Sequence, residues 1–464
     1  MDWRGRRVHF VGIGGAGLSA IARVLMEQGA EVSGSDLVRS PVAEALARDG
    51  ARVFVGHRVE NVAGAEMIVV SSAVPASNVE LQAARAAGIP VLKRPEFLAR
   101  MMEGRLGIAV AGTHGKTTTT AMVASVLLEA GLDPTFIVGG VIAGLETNAR
   151  AGEGPFFVIE ADEYDRTFLS LRPTVAVVTN VEHDHPDCYP TFVDFRAAFE
   201  EFVTLVPPEG LLVVCWDDPV ARELGQRRRA AGAAVTFFGL GEGAELRAEE
   251  VRPNFAGGVD FLATRGARML GLVRLRVPGA HNASNAMAAL AVADFFDVSA
   301  RVAREALREF RGVGRRFEVK GEADGVVVVD DYAHHPTEIR ATLQAARERF
   351  PEHSLWAVWQ PHTYSRTLTL LEDFARAFDA ADHVIVLPIY AARETDTLGV
   401  SSAEVVAAME HPDARCACSR DEAVVWLGTE LQPGDVVLTL GAGDGYRVGE
   451  WLLEVLGNEW MNEQ

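Results

Sequence analysis

Thr113-His114-Gly115-Lys116-Thr117-Thr118 follows the apolar run of residues 106–111 and leads into an apolar stretch that ends at Gly131. A Gly-Lys-Thr step between a buried strand and a helix start offers backbone N–H groups to phosphate oxygens, a lysine to neutralise them and a hydroxyl to reach Mg²⁺. Such a loop binds ATP. The literal pattern G-x-x-x-x-G-K-[ST] asks for glycine where Val110 stands, so the match is partial. Two more strand-like runs end in polar clusters: residues 156–159 lead into Glu160-Ala161-Asp162-Glu163, and residues 175–179 into Asn180-Val181-Glu182-His183-Asp184-His185. Ligands of open α/β sheets bind at the carboxyl ends of strands, so the three ends can converge on one Mg-nucleotide. The preference of Mg²⁺ for oxygen favours Thr117 and Glu160 as its ligands over a histidine. A zinc reading of His183, His185 and Asp187 lacks a cysteine or a second histidine pair to complete it.

A second glycine-rich turn opens the chain. Gly12-Ile13-Gly14-Gly15-Ala16-Gly17 follows a strand and precedes a helical stripe of Leu18, Ile21, Ala22 and Leu25, which is the G-x-G-x-x-G arrangement that lets a diphosphate approach a helix N-terminus. Asp36 lies 19 residues beyond Gly17, where a ribose-binding acid is expected, and Ser71 ends the run that starts at Met67. These residues fit NAD or another nucleotide diphosphate such as a UDP-sugar. Further on, His281-Asn282-Ala283-Ser284-Asn285 precedes an alanine-rich helix over 286–296, where asparagine is most simply a cap. Arg315-Arg316 could clamp phosphate. Asp330-Asp331-Tyr332-Ala333-His334-His335-Pro336-Thr337-Glu338 and Gln360-Pro361-His362-Thr363-Tyr364-Ser365-Arg366 each follow an apolar strand, which suggests a binding edge.

The elements that must position these groups are Val- and Ile-rich strands alternating with helices, the pattern of α/β folds with parallel sheets covered by helices. Early elements are expected as strand 8–11, helix 18–28, strand 31–33, helix 41–48 and strand 67–71. The alternation restarts after Lys93-Arg94-Pro95 and again after Gly312-Val313-Gly314-Arg315-Arg316, which divides the chain into 1–105, 106–313 and 314–464. Short segments broken by Gly and Pro between about 240 and 276 suggest a small antiparallel addition to the middle domain. A length of 464 residues suits two or three domains.

The net charge of -20 argues against nucleic acid and anionic membranes as partners. The four cysteines contain no C-x-x-C pair and read as reduced, cytoplasmic thiols. Arg4, Arg6 and Arg7 ahead of residues 8–22 imitate a secretory signal, but four glycines interrupt the apolar stretch and export is not expected. No apolar run reaches the roughly 18 residues of a membrane span.

Nine segments in order, 12–17, 112–120, 160–165, 180–187, 281–285, 315–317, 330–338, 360–366 and 441–444, resemble the motifs of the Mur ligases over nearly the whole chain. That family's loop also lacks the early glycine, so Val110 fits it. The resemblance implies three domains: an N-terminal Rossmann-like domain for the UDP-sugar, a central P-loop ATPase-like parallel sheet, and a Rossmann-like C-terminal domain. It implies ATP and Mg²⁺, with UDP-N-acetylmuramate and L-alanine as small-molecule substrates joined at the lactyl carboxylate through an acyl phosphate, in a cytoplasmic monomer or homodimer.

By the same resemblance Lys116, Glu160, His185 and Arg316 are the catalytic set, and Thr117, Glu160 and His185 hold metal. Gly112, Thr113, His114, Gly115, Lys116, Thr117, Thr118, His281, Asn282, Asn285, Arg316, Asp331 and Tyr332 surround ATP. Gly12, Gly14, Gly15, Gly17, Asp36 and Ser71 bind the UDP-sugar, and His335, His362 and Arg366 take the sugar acid or the amino acid. Thr363 stands where the family commonly has a basic residue and Tyr164 where it often has serine, and residues 189–202 contain no lysine that could be carbamylated. Three rival readings are a sister ligase that attaches a murein tripeptide to the same sugar, an NAD-dependent oxidoreductase, and a nucleotide sensor without turnover.

Overall fold

The computed structural model describes residues 2–462. By compactness the chain divides into two units, one of Met1–Val181, Arg196–Leu246 and Ala286–Ala306, the other of Glu182–Phe195, Arg247–Asn285 and Leu307–Gln464.

The first unit opens with β1 (Arg7–Val11), α1 (Ala16–Glu27), β2 (Glu31–Asp36), α2 (Pro41–Arg48), β3 (Arg52–Val55), β4 (Met67–Val70), α3 (Val79–Ala86), β5 (Val91–Lys93) and α4 (Arg94–Met102). The strands pair in parallel in the order β3-β2-β1-β4-β5. The order reverses beside β1, so the carboxyl end of β1, where Gly12 begins the glycine turn, is a topological switch point. The expected stripe of Leu18, Ile21, Ala22 and Leu25 is buried on α1. α2 occupies its expected range, because Ser40 accepts the Ala43 N–H and Pro41 fixes the first turn. β2 runs three residues further than expected, to Asp36.

The chain continues as β6 (Leu106–Ala111), α5 (Lys116–Glu129), β7 (Thr135–Ile142), β8 (Thr147–Arg150), β9 (Phe156–Glu160), β10 (Val175–Val178), α6 (Phe192–Phe202), β11 (Leu211–Cys215), α7 (Pro219–Ala230) and β12 (Val235–Gly239). Seven strands follow the order β12-β11-β10-β6-β9-β7-β8, with β6 parallel to both β9 and β10. The strand that carries the Lys116 loop is therefore flanked by the two strands that end in acidic clusters. Residues 117–127 of α5 are buried apart from Ser125, as befits a helix apolar nearly all round.

In the second unit β13 (Leu246–Pro253), β14 (Val259–Arg265) and β15 (Arg268–Arg274) form the expected addition, β14 and β15 antiparallel. α8 (Ala280–Phe295) and α9 (Ala300–Glu309) come next in the chain. They are followed by β16 (Glu318–Ala323), β17 (Val326–Asp331), α10 (Pro336–Arg349), β18 (Leu355–Trp359), α11 (Tyr364–Thr369), β19 (His383–Val386), β20 (Ala414–Cys416) and β21 (Val436–Leu440). The order β16-β17-β21-β18-β19-β20 is parallel except for β16. Trp359, Phe374, Phe378 and Leu343 fill one face of this sheet. Among the described residues no helix is long and apolar enough to cross a membrane.

Candidate active site

Backbone freedom shapes the phosphate loop after β6. Gly115 has φ 78°, a left-handed conformation that turns the chain into α5 with Lys116 as its first residue. A Cβ on Gly112 would lie 1.9 Å from Thr179 Oγ1, so no side chain fits there. The end of β10 pins the loop from outside: Thr179 Oγ1 donates to the His114 carbonyl at 2.6 Å, and Asn180 Oδ1 accepts the His114 N–H at 2.8 Å. Lys116 Nζ donates to the carbonyls of Gly112 and Thr113 and to Glu163 Oε1 at 2.8 Å. Burial disfavours the Lys116 charge, but Glu163, Glu160 and Asp162 outweigh it and raise its pKa. Thr117 Oγ1 donates to Glu160 Oε1 at 3.0 Å, while Glu160 Oε2 accepts the Gly139 N–H at 2.7 Å. A hydroxyl and a carboxylate in contact are the oxygen donors that suit Mg²⁺.

Two residues of β2 hold the glycine turn of the first sheet. The Ser35 carbonyl accepts the N–H groups of Gly12 and Ile13 at 2.8 and 3.1 Å, and Gly15 N–H returns to the Gly12 carbonyl. Asp36 Oδ2 accepts the Gly14 N–H at 2.8 Å and Oδ1 that of Leu37 at 2.8 Å. The acid expected at a ribose thus braces the turn, with both oxygens on backbone donors. Ser71 lies against Gly12, 3.1 Å from where a Cβ would stand. Beneath the turn Glu80 is fully buried and accepts from Ser35 Oγ and Asn61 Nδ2, both at 2.6 Å, and from Arg58 N–H at 3.2 Å, beside His9 at 3.5 Å. Burial would raise its pKa, but the hydrogen bonds from His9, Ser35, Asn61 and Arg58 bring it down to about 2.

The remaining candidates gather in the second unit. Asp184 and Arg366 are both buried and paired at 2.7 Å through Nε, and Arg366 Nη1 also donates to the His362 carbonyl at 2.8 Å. Burial would raise the Asp184 carboxyl, yet Arg366, His185 and His334 hold it well below the usual range. His185, at φ 55°, donates its N–H to Asp184 Oδ1 at 2.7 Å. Burial pushes His334 down to about 3 and His362 down to about 4, so both rings are neutral at pH 7. Asp331 accepts the N–H groups of Phe317 and Ala333, and burial lifts it to about 6 against the pull of Arg316. Arg315 and Arg316 face the Tyr332 ring at 5.0 and 5.2 Å, and Arg316 Nη1 lies 3.4 Å from Glu338.

Several expectations change here. β17 carries Asp330 and Asp331 within the strand, and α8 starts six residues earlier than the 286–296 pattern implies. Asn282 and Asn285 therefore lie inside the helix: Asn282 Nδ2 donates to the Pro278 carbonyl at 2.7 Å and Asn285 Nδ2 to Asn282 Oδ1 at 3.2 Å, a buried amide relay in place of a cap. A separate helix, α10, does have a side-chain cap, His335, whose Nδ1 accepts the Thr337 N–H. Thr363 Oγ1 sits 3.2 Å from Ser365 Oγ, and the Tyr164 N–H donates to Asp162. Glu394, which accepts the N–H groups of Tyr364 and Ser365, lies outside the motifs, whereas Glu163 and Asp184 lie within them without an expected role.

A fold of parallel sheets with a phosphate loop and a separate glycine turn defines a nucleotide-using α/β enzyme. Three family models match in succession: "Mur ligase family, catalytic domain" over residues 7–106, "Mur ligase middle domain" over 110–293 and "Mur ligase, glutamate ligase domain" over 315–443. The chain belongs to the Mur ligase family. It is 47% identical over 451 residues to a UDP-N-acetylmuramate–L-alanine ligase of a Geobacter species, covering 96% of this chain and 97% of that one. A protein of the same name from Solibacter usitatus is 46% identical over 464 residues, 99% of this chain and 97% of its own. Among solved structures, the UDP-N-acetylmuramate-alanine ligase MurC of Thermotoga maritima superposes with a TM-score of 0.81 at 28% identity, covering 99% of this chain and all of that one. A murein peptide ligase of Psychrobacter arcticus gives 0.70 at 26%, covering 98% and 99%. Family membership sets aside the NAD-dependent oxidoreductase reading of the glycine turn.

Proposed function

We propose that this chain joins L-alanine to the lactyl carboxylate of UDP-N-acetylmuramate at the expense of ATP, in peptidoglycan precursor synthesis in the cytoplasm. The observation that carries the reading is the set of Lys116, Thr117 and Glu160 on adjacent strand ends, in a chain nearly half identical over its length to ligases of that name. The higher structural similarity to the alanine ligase than to the peptide ligase favours alanine over a ready-made tripeptide.

In this reaction a carboxylate oxygen of the sugar acid attacks the γ-phosphorus of ATP, and ADP leaves. The neutral amine of L-alanine then adds to the acyl carbon, phosphate departs and the nitrogen loses a proton. Catalysis is alignment and charge neutralisation, with no protein nucleophile. Lys116 takes the β- and γ-phosphate charge, and the loop N–H groups between Gly112 and Thr118 cradle their oxygens. Thr117 and Glu160 would hold Mg²⁺, with His185 near a second ion; the metal supplies further neutralisation of phosphate charge. Family resemblance would assign Asn282, Asn285 and His281 to adenine, Arg316, Asp331 and Tyr332 to the nucleotide edge, the Gly12–Gly17 turn to UDP, and His335, His362 and Arg366 to the sugar acid or amino acid.

The test is phosphate release with ATP, UDP-N-acetylmuramate and a panel of L-alanine, glycine, L-serine and the murein tripeptide, with the product weighed by mass spectrometry. A product heavier than the sugar acid by one alanyl residue is expected. Turnover with the tripeptide alone, or none with any acceptor, overturns the assignment.

A further inference from the structure

Arg94 marks a domain boundary in the sequence, but in the first unit it lines a cavity of about 210 Å³ together with Gly17, Gly139, Asn148, Glu160 and Asp162. As the first residue of α4 it reaches toward α1, and its guanidinium comes so close that a Cβ on Gly17 would stand 2.8 Å from Cζ and 2.9 Å from Nε. The last glycine of the turn thus makes room for an arginine. Nη1 pairs with Asp162 Oδ2 at 3.3 Å, while the buried Nε–H has no hydrogen-bond partner among the described residues. An unsatisfied buried donor on a charged fork is costly unless something completes it.

The rest of the cavity indicates what completes it. Glu160 forms another wall, and the same carboxylate accepts from Thr117 of the phosphate loop. Whatever enters from the glycine turn therefore meets the nucleotide site here. The volume is below the roughly 300–1,000 Å³ that encloses a whole small ligand, so the cavity suits an arm of a ligand held elsewhere. Glu160 and Asp162 would repel an anionic arm, and Arg94 is the cation lining the cavity that offsets them.

We propose that Arg94 is a catalytic residue that binds the carboxylate of the sugar acid through Nε and aligns it for attack on the γ-phosphate. The proposal rests on the ligase reading above. It assigns the two anions of one substrate to different parts of the unit, the diphosphate to the glycine turn and the carboxylate to Arg94.

Calorimetric titration of the full chain with UDP, UDP-N-acetylglucosamine and UDP-N-acetylmuramate tests it, because the second lacks only the carboxylate-bearing arm. Arg94→Gln should weaken UDP-N-acetylmuramate by about tenfold to a hundredfold, the scale of a lost charged hydrogen bond, and leave the other two within about twofold. Arg94→Lys keeps charge without the fork and should recover part of the loss. Equal weakening of all three ligands, or no weakening, overturns the proposal. A wild-type chain that fails to prefer UDP-N-acetylmuramate over UDP-N-acetylglucosamine would instead remove the ligase reading, and the proposal with it.

Discussion

Asp184→Asn removes one side of a charge pair that water barely reaches, since Asp184 is 3% exposed and Arg366 4%. The variant leaves the Arg366 guanidinium hydrogen-bonded to the carbonyl and ring of His362, neither of them charged at pH 7, with Glu338 and Asp187 as the remaining nearby anions. Breaking a buried pair from one side costs about 3–5 kcal/mol. One kcal/mol moves the melting temperature of a 150–250-residue domain by about 2–4 °C, so the transition involving the C-terminal sheet should fall by about 6–20 °C. Scanning calorimetry at pH 7.5 and fixed salt reads the shift. Asp184→Asn/Arg366→Met removes both charges and should regain at least half of it, because no ion is then stranded. If Asp184→Asn melts within about 2 °C of the parent while its KM for the sugar acid rises, the pair serves ligand binding and the framework argument is wrong.

Four further outcomes follow from the site. Lys116→Ala should lower phosphate release at least about a hundredfold, the scale of a lost transition-state charge contact, and near-normal release would sink its assigned role. Glu160→Gln should raise the half-saturating Mg²⁺ concentration several-fold, and EDTA should abolish turnover of the parent; an unchanged Mg²⁺ curve speaks against Glu160 as a ligand. His334, whose side chain is largely buried, titrates near 3 when folded and near 6.5 when unfolded, so its contribution to stability is present above pH 6.5 and is lost as pH falls toward 3. His334→Gln should flatten the unfolding-versus-pH curve in that window, and an identical curve refutes the neutral ring. Glu80→Gln, which halves the acceptor capacity beneath the glycine turn, should cost about 1–3 kcal/mol by denaturant titration, and no change would mean the network is not stabilising.

Local pattern made much of this architecture legible. α2 and β18 lie where Pro41 and the apolar run at 355–359 put them, because a proline first turn and a fully apolar strand leave few alternatives. The three strand ends around β6 were legible as well, since the polar clusters interrupt apolar runs abruptly. The rest depended on partners distant in sequence. That Asp36 closes on its own glycine turn depends on the Gly14 N–H 22 positions away. Likewise, Asp184 looks like any loop acid until Arg366, 182 residues on, is folded against it. Helix starts slipped where polar residues hide inside the first turn, as Asn282 does in α8, because its amide is satisfied by Pro278 and not by solvent.

The Lys116–Glu163 contact has a consequence for how tightly a nucleotide can bind. The lysine enters the encounter already neutralised, so an arriving triphosphate competes with an internal anion and displaces it. Affinity then measures a difference between two ion pairs, and Glu163, itself 1% exposed, must find other donors when displaced. Weakening this internal competitor would strengthen nucleotide retention, which slows ADP departure. The carboxylate that looks like a mere companion of the lysine would then help set how quickly the loop is cleared for the next turnover.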